Sequence, residues 1–233
     1  MSSEFEETIE QLEDRVIHDF EHFAPFMPVV RTKAWDLAQQ IKDHHLFTYL
    51  DSLRVALKSR EILQFIHFLP RTGLYGGLLH DTGKIETPVE ILNKTYGIGG
   101  EYTLQDHEVM KKHPQRGYDI LMENGFMMSA WIALTHHRFK RKVEDSDPKA
   151  VFKNPYPAEL LSYPENLSED TRFNIMINSR VVSLADQYCA FRRPNSMHGK
   201  EPLNSEQIKK FMIDENPGQE YLVSELYKRK IFV

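Results

Sequence analysis

The chain has a single cysteine, Cys189, among its 233 residues. One thiol excludes an internal disulfide framework and any structural zinc site built from several thiolates. No run approaches the roughly 20 uninterrupted apolar residues that a membrane span needs. The start, MSSEFEETIEQLEDRV, is acidic where a secretory signal would be basic and then apolar. These absences predict a soluble, cytoplasmic protein with no membrane partner. A net charge of −5 argues against indiscriminate nucleic-acid binding, yet it permits a small anionic ligand at a local basic site. Glycine and proline are sparse, at 11 and 12 residues, so long segments can keep a helical period.

Histidine is plentiful, with eleven residues. Charge is unevenly spread. Residues 1–22 hold Glu4, Glu6, Glu7, Glu10, Glu13, Asp14, Asp19 and Glu21 against Arg15 alone. In the same stretch Ile9, Leu12, Val16, Ile17 and Phe20 recur at helical spacing, which leaves the acids on the other face. That face is expected to be solvated, and it is the candidate docking surface for a protein partner.

Further helices are expected over VVRTKAWDLAQQIKDHH, from Asp51 to Phe68, and over Gly73–Asp81, whose small and apolar residues suit a buried, closely packed helix. A loop to about Gly100 follows. Thr103 with Asp106 marks a helix start of the capping-box type, and that helix must bend or stop at His113-Pro114. Helical pattern returns at 128–139, 168–192, 204–215 and 219–230. The interval 140–167, with Pro148, Pro155, Pro157 and Pro164, reads as a long loop of the kind that is more often functional than decorative. No sheet pattern is visible, so the fold class is all-α.

Ligand chemistry concentrates at His80-Asp81, His113, His136-His137 and Asp186. Imidazole nitrogen and carboxylate oxygen together suit divalent first-row metals such as iron or manganese. Taken singly, each is an ordinary core histidine or a coincidental pair. Asp81 and Asp186, however, both lie in apolar runs, GGLLHD and VVSLAD, where an ionised carboxylate is costly without a cation.

LLHDTGKIETPVEILNK, EVMKKHPQRGYDIL, LTHH and RVVSLAD resemble the successive blocks of the HD superfamily of metal-dependent phosphohydrolases, in particular its HD-GYP branch, over roughly residues 51–194. The resemblance implies an HD-domain helical bundle at 45–233 with a short helical extension at 1–44. It implies two or three divalent ions held by His80, Asp81, His113, His136, His137 and Asp186, with Asp81 bridging. It also implies hydrolysis of cyclic di-GMP or a related cyclic dinucleotide. Lys84, otherwise a solvated loop charge, would contact the scissile phosphate, which makes Asp81 and Lys84 the expected catalytic pair.

Two departures stand out. Asp51 falls where the family has its first histidine, so it is expected as an oxygen ligand; the bland reading is a lost ligand, and His44 or His45 are weaker substitutes. The Gly-Tyr-Pro segment is displaced and reduced to Pro155-Tyr156-Pro157, with Tyr156 as a candidate substrate contact. Arg193 and Lys200 are the family-implied phosphate contacts after Asp186. Arg138, Lys140, Arg141 and Lys142 form either a solvated charge run or a basic rim. Three readings follow: a cyclic dinucleotide phosphodiesterase, a phosphohydrolase of another nucleotide or phosphoester, or a weakly catalytic signalling module.

Overall fold

The computed structural model describes residues 7–139, 167–193 and 203–233. Every regular element among them is helical, and no strand occurs among the described residues. The helices are α1 (Ile9–Phe23), α2 (Pro28–His44), α3 (Leu46–Phe65), α4 (Pro70–Leu79), α5 (Val89–Thr95), α6 (Leu104–Met110), α7 (His113–Glu123), α8 (Met127–Thr135), α9 (Glu169–Phe191), α10 (Ser205–Asp214) and α11 (Glu220–Lys228). Single 3₁₀ turns follow α4 at Thr82–Glu86 and α8 at His136–Phe139. No described helix is long and apolar enough to cross a membrane.

α3 is the spine. One side of it joins α1, α2 and α4 around Leu12, Phe20, Ile41, Tyr49, Leu53 and Leu74. Its other side joins α9, α10 and α11 around Val55, Ile62, Tyr188, Met212 and Leu226. α4 can lie against α3 only because Gly77 has no side chain: a Cβ there would stand 2.6 Å from Ala56 Cα. This contact carries the end of α4, and so His80 and Asp81, into the middle of the bundle.

Several boundaries differ from the sequence reading, for local reasons. α3 begins at Leu46 rather than Asp51 because His45 caps it, Nδ1 accepting from the Thr48 amide at 3.2 Å. Histidine is not among the usual cap residues, so the pattern hides this start. The expected loop before Gly100 contains a 3₁₀ turn and α5; Pro88 launches a helix of 7 residues, too short for its period to show. α6 and α7 are separate, with Pro114 in the first turn of α7, where its missing amide is harmless.

The acidic face of α1 is not simply solvated, as its composition suggests. Asp19 is buried against Arg60, its Oδ2 lying 2.8 Å from Nε and 2.7 Å from Nη2. Glu13 accepts from Lys42 Nζ and from Tyr49 Oη, each at 2.7 Å. Helical periodicity marks the apolar stripe of α1 but not the cations that α2 and α3 place at its flank. Glu10, Asp14 and Glu21 stay exposed.

α6 starts on a reciprocal cap between Thr103 and Asp106, and Lys94 of α5 reaches the same carboxylate at 2.9 Å. The Thr103 amide, then Lys94, then the Thr103 hydroxyl hold the Asp106 carboxyl down at about 2, below the ordinary 3.8. A carboxylate depressed on folding stabilises above its unfolded pKa and ceases to as pH falls through the folded one. Asp106→Asn should therefore lower the melting temperature at neutral pH, with the deficit shrinking as pH falls from 3.8 to about 2; thermal melts across that range measure it.

Candidate metal centre

Three histidines are oriented by one device. His80 follows α4 and its Nδ1 is 2.8 Å from the Gly77 carbonyl; His113 follows α6 by way of a two-residue turn, with Nδ1 2.7 Å from the Met110 carbonyl; His136 follows α8, with Nδ1 2.8 Å from the Ala133 carbonyl. A carbonyl only accepts, so each Nδ1 carries a proton and each Nε2 is turned inward, free to present a lone pair whenever the ring is neutral. The accepting carbonyls lie at helix C-terminal ends, where the last C=O groups have no helical partner and carry partial negative charge. Ligand orientation and helix termination are thus met by the same bond.

The Nε2 atoms converge. His113 Nε2 is 3.1 Å from His137 Nε2 and 3.4 Å from Asp81 Oδ1; His136 Nε2 is 4.0 Å from the same oxygen. Asp81 Oδ2 turns the other way, 3.2 Å from His80 Nε2 and 2.6 Å from Lys84 Nζ. His80 Nε2 also lies 3.8 Å from Asp186 Oδ1, and His137 Nδ1 is 4.0 Å from Asp186 Oδ2. Two ligand groupings result, Asp81–His113–His136–His137 and His80–His136–Asp186, each with its donor atoms within 4.8 Å of one another. Each oxygen of Asp81 faces a different part of the cluster, which suits a bridging carboxylate.

The donor set fits divalent cations. His80 Nε2, His136 Nε2 and Asp81 Oδ1 are buried and have no hydrogen-bond partner, a costly state for polar atoms. Nitrogen and oxygen donors without thiolate match a first-row divalent ion. The side chains of His137 and Asp186 are 34% and 17% exposed, against 0–4% for His80, Asp81, His113 and His136, so the cluster opens to solvent on the His137–Asp186 side.

Electrostatics divides the imidazoles. Burial opposes charge on His80, but Asp81 and Asp186 outweigh it and raise its pKa to about 10. Burial lowers His113 to about 4, with Asp81 in partial opposition. Burial and then the charge on His80 lower His136 to about 3. Burial works against the Asp81 carboxylate, yet His80 and Lys84 hold it well below the usual range. In the metal-free cluster the proton on His80, together with Lys84, balances Asp81 and Asp186, while His113 and His136 stay neutral.

Of the expected ligands, the structure brings together His80, Asp81, His113, His136, His137 and Asp186. Asp51 belongs to neither grouping. Its Oδ2 is 2.8 Å from Arg193 Nε and accepts from Tyr96 Oη at 2.8 Å, so its negative charge meets a guanidinium instead of joining the histidines. Arg193, expected on a substrate phosphate, is taken up by that contact. His44 bonds the Thr87 carbonyl and His45 caps α3, and neither joins the cluster. Lys84 lies on Asp81, at its edge. Tyr156, Lys200, Lys140, Arg141 and Lys142 lie outside the described residues, as does the side chain of Arg138. Tyr96, beside the ILNK block, went unnoticed in the sequence; a tyrosine carries no ligand signal until its buried partner is known.

Gly83 completes the assembly. A Cβ there would stand 2.0 Å from His113 O and 2.4 Å from Gly117 N, so the turn after Asp81 packs directly on the backbone of α7. Gly83→Ala should cost about 1–3 kcal/mol or more by overpacking and weaken metal uptake by displacing His113; urea denaturation with and without Mn²⁺ separates the two effects. Because metal ligation requires His80 to release its proton, Mn²⁺ affinity should rise about tenfold per pH unit through the neutral range, a slope that titration calorimetry at several pH values reads directly.

A family model for the HD domain matches residues 48–190. The chain is 32% identical over 115 residues to the cyclic di-GMP phosphodiesterase response regulator RpfG of Xanthomonas campestris pv. campestris, a match covering 48% of this chain and 24% of that protein. It is 30% identical over 134 residues to the 3'3'-cGAMP-specific phosphodiesterase 2 of Vibrio cholerae serotype O1, covering 56% of this chain and 20% of that protein. The matches thus span about a quarter or less of these relatives' lengths.

Proposed function

This chain belongs to the HD-domain family, and on that footing we propose that it is a metal-dependent phosphodiesterase hydrolysing a cyclic dinucleotide, with cyclic di-GMP the leading substrate. The observation that carries this reading is the convergence of His80, Asp81, His113, His136, His137 and Asp186, with buried polar atoms at its centre that have no hydrogen-bond partner. The names of the two relatives support the substrate class. Iron or manganese best suits the donors. The bundle at 45–233 with its helical extension at 1–44, acting in the cytoplasm, is part of the same reading.

Bound in this cluster, two or three divalent ions would supply Lewis-acid stabilisation to the attacking and leaving oxygens of a phosphodiester. The chain's own residues do the rest. His80, His113 and His136 hold their Nε2 lone pairs in fixed directions because Nδ1 is tied to helix-end carbonyls. Asp81 keeps both oxygens ionised and aimed to opposite sides. Lys84, 2.6 Å from Asp81 Oδ2, holds a positive charge at the rim of the cluster, where a phosphate oxygen can draw it off that carboxylate.

The Mn²⁺- or Fe²⁺-loaded protein should linearise cyclic di-GMP, followed by chromatography of the products. Asp81→Ala and His136→Ala should reduce turnover by at least about 100-fold, and Lys84→Met by about 10–100-fold, mainly in kcat. A panel with 3'3'-cGAMP and linear nucleotides tests the substrate. Loaded protein that spares cyclic dinucleotides but cleaves another phosphoester is a phosphohydrolase of different specificity. Binding without turnover marks a signalling module, a reading favoured by the aspartate at position 51.

A further inference from the structure

Asp51 and Arg193 form a second polar centre beside the histidines. Asp51, from α3, is buried. Tyr96 Oη donates to its Oδ2 at 2.8 Å, Arg193 Nε lies 2.8 Å from the same oxygen as a close ion pair, and Arg54 Nη1 is 3.6 Å from Oδ1. Arg193, just past α9, stacks over the Tyr96 ring at 3.9 Å and points Nη1 at the Thr95 carbonyl, 3.3 Å away. Two elements distant in sequence, α3 and the end of α5, thus clamp the guanidinium that follows α9.

We propose that Arg193 is a built-in cation held against Asp51 in place of a metal ion, so that this centre takes two ions and Asp51 ligates neither. The inference rests on the metal-centre reading above and fixes its stoichiometry. Three observations carry it. Asp51 Oδ2 already accepts from Tyr96 and faces Arg193, and Oδ1, buried without a hydrogen-bond partner, faces Arg54 Nη1 at 3.6 Å, so both oxygens look at guanidinium groups where a metal would need an oxygen lone pair at roughly 2.0–2.2 Å. A guanidinium cannot shed its proton to make room, and its planar fork suits a carboxylate. Asp51 also stands outside both groupings of mutually close donors.

The field agrees with the geometry. Burial disfavours charge on Arg193, but Asp51, Tyr96, Asp186 and Asp81, in that order, override it and hold the guanidinium above its ordinary pKa. Arg193 thus answers carboxylates of the metal cluster as well as Asp51. A divalent ion placed next to it would meet a fixed like charge in a poorly screened setting.

The test is metal content of the whole chain after Mn²⁺ loading and dialysis, with melting of the metal-free protein alongside. Wild type should retain two equivalents, and Asp51→Asn should also retain two. In the metal-free state Asp51→Asn and Arg193→Met should each lower the melting temperature by about 10 °C by leaving a buried charge unpaired. The double variant should lose clearly less than the two combined, and, being free of either charge, it should keep two equivalents even if a single variant folds poorly. Three equivalents in wild type, or loss of one in Asp51→Asn or in the double variant, overturns the role of Arg193 while leaving the metal centre standing. Additive melting losses overturn it too. A wild-type chain that retains no Mn²⁺ overturns the metal centre itself and this assignment with it.

Discussion

The bond from imidazole Nδ1–H to a carbonyl at a helix end is the constraint from which the site is built. It settles three things together: the helix finds a partner for a terminal carbonyl, the histidine acquires a single tautomer, and Nε2 is aimed inward. Because α4, α6 and α8 all end at the same place, their negative poles and their lone pairs accumulate there. Packing follows from this need. Gly77 lets α4 press against α3, and Gly83 lets the following turn press against α7; both bring helix ends, not helix faces, to the centre.

Charge is handled nearby with the same economy. Asp81 meets Lys84, Asp51 meets Arg193, and even on the far side of α3 the acids of α1 meet Arg60 and Lys42. Isolated buried carboxylates would be prohibitively unstable. What differs between these pairs is their use: the α1 pairs join helices, the Asp51 pair ties α3 to the end of α9, and the Lys84 pair sits where the cluster edge can exchange it for another anion.

Much of this was legible in the linear chain, for physical reasons. His80-Asp81 and Asp186 declare themselves because ionisable groups in apolar runs demand a counter-charge, and the all-helical class because apolar spacing near 3.6 persists over long stretches. Other features depend on partners distant in sequence. That Asp51 would meet Arg193 and Tyr96 rather than the histidines is decided by where α5 and the end of α9 come to rest. The inward turn of Glu13 and Asp19 is decided by Arg60 and Lys42, and the start of α3 by an atypical histidine cap. Sequence pattern exposes the cost of a buried charge but not the identity of the group that offsets it.

The cluster draws its donors from chain positions as far apart as His80 and Asp186, which has a consequence for the order of folding. Contacts of such long sequence separation form after local helices and their immediate pairings, because the intervening loops must first be closed. Until then the imidazoles are free to rotate and the carboxylates remain hydrated. The junction of α4, α6, α8 and α9 therefore takes its final form later than the helices that meet there, although it lies within the buried core of the bundle.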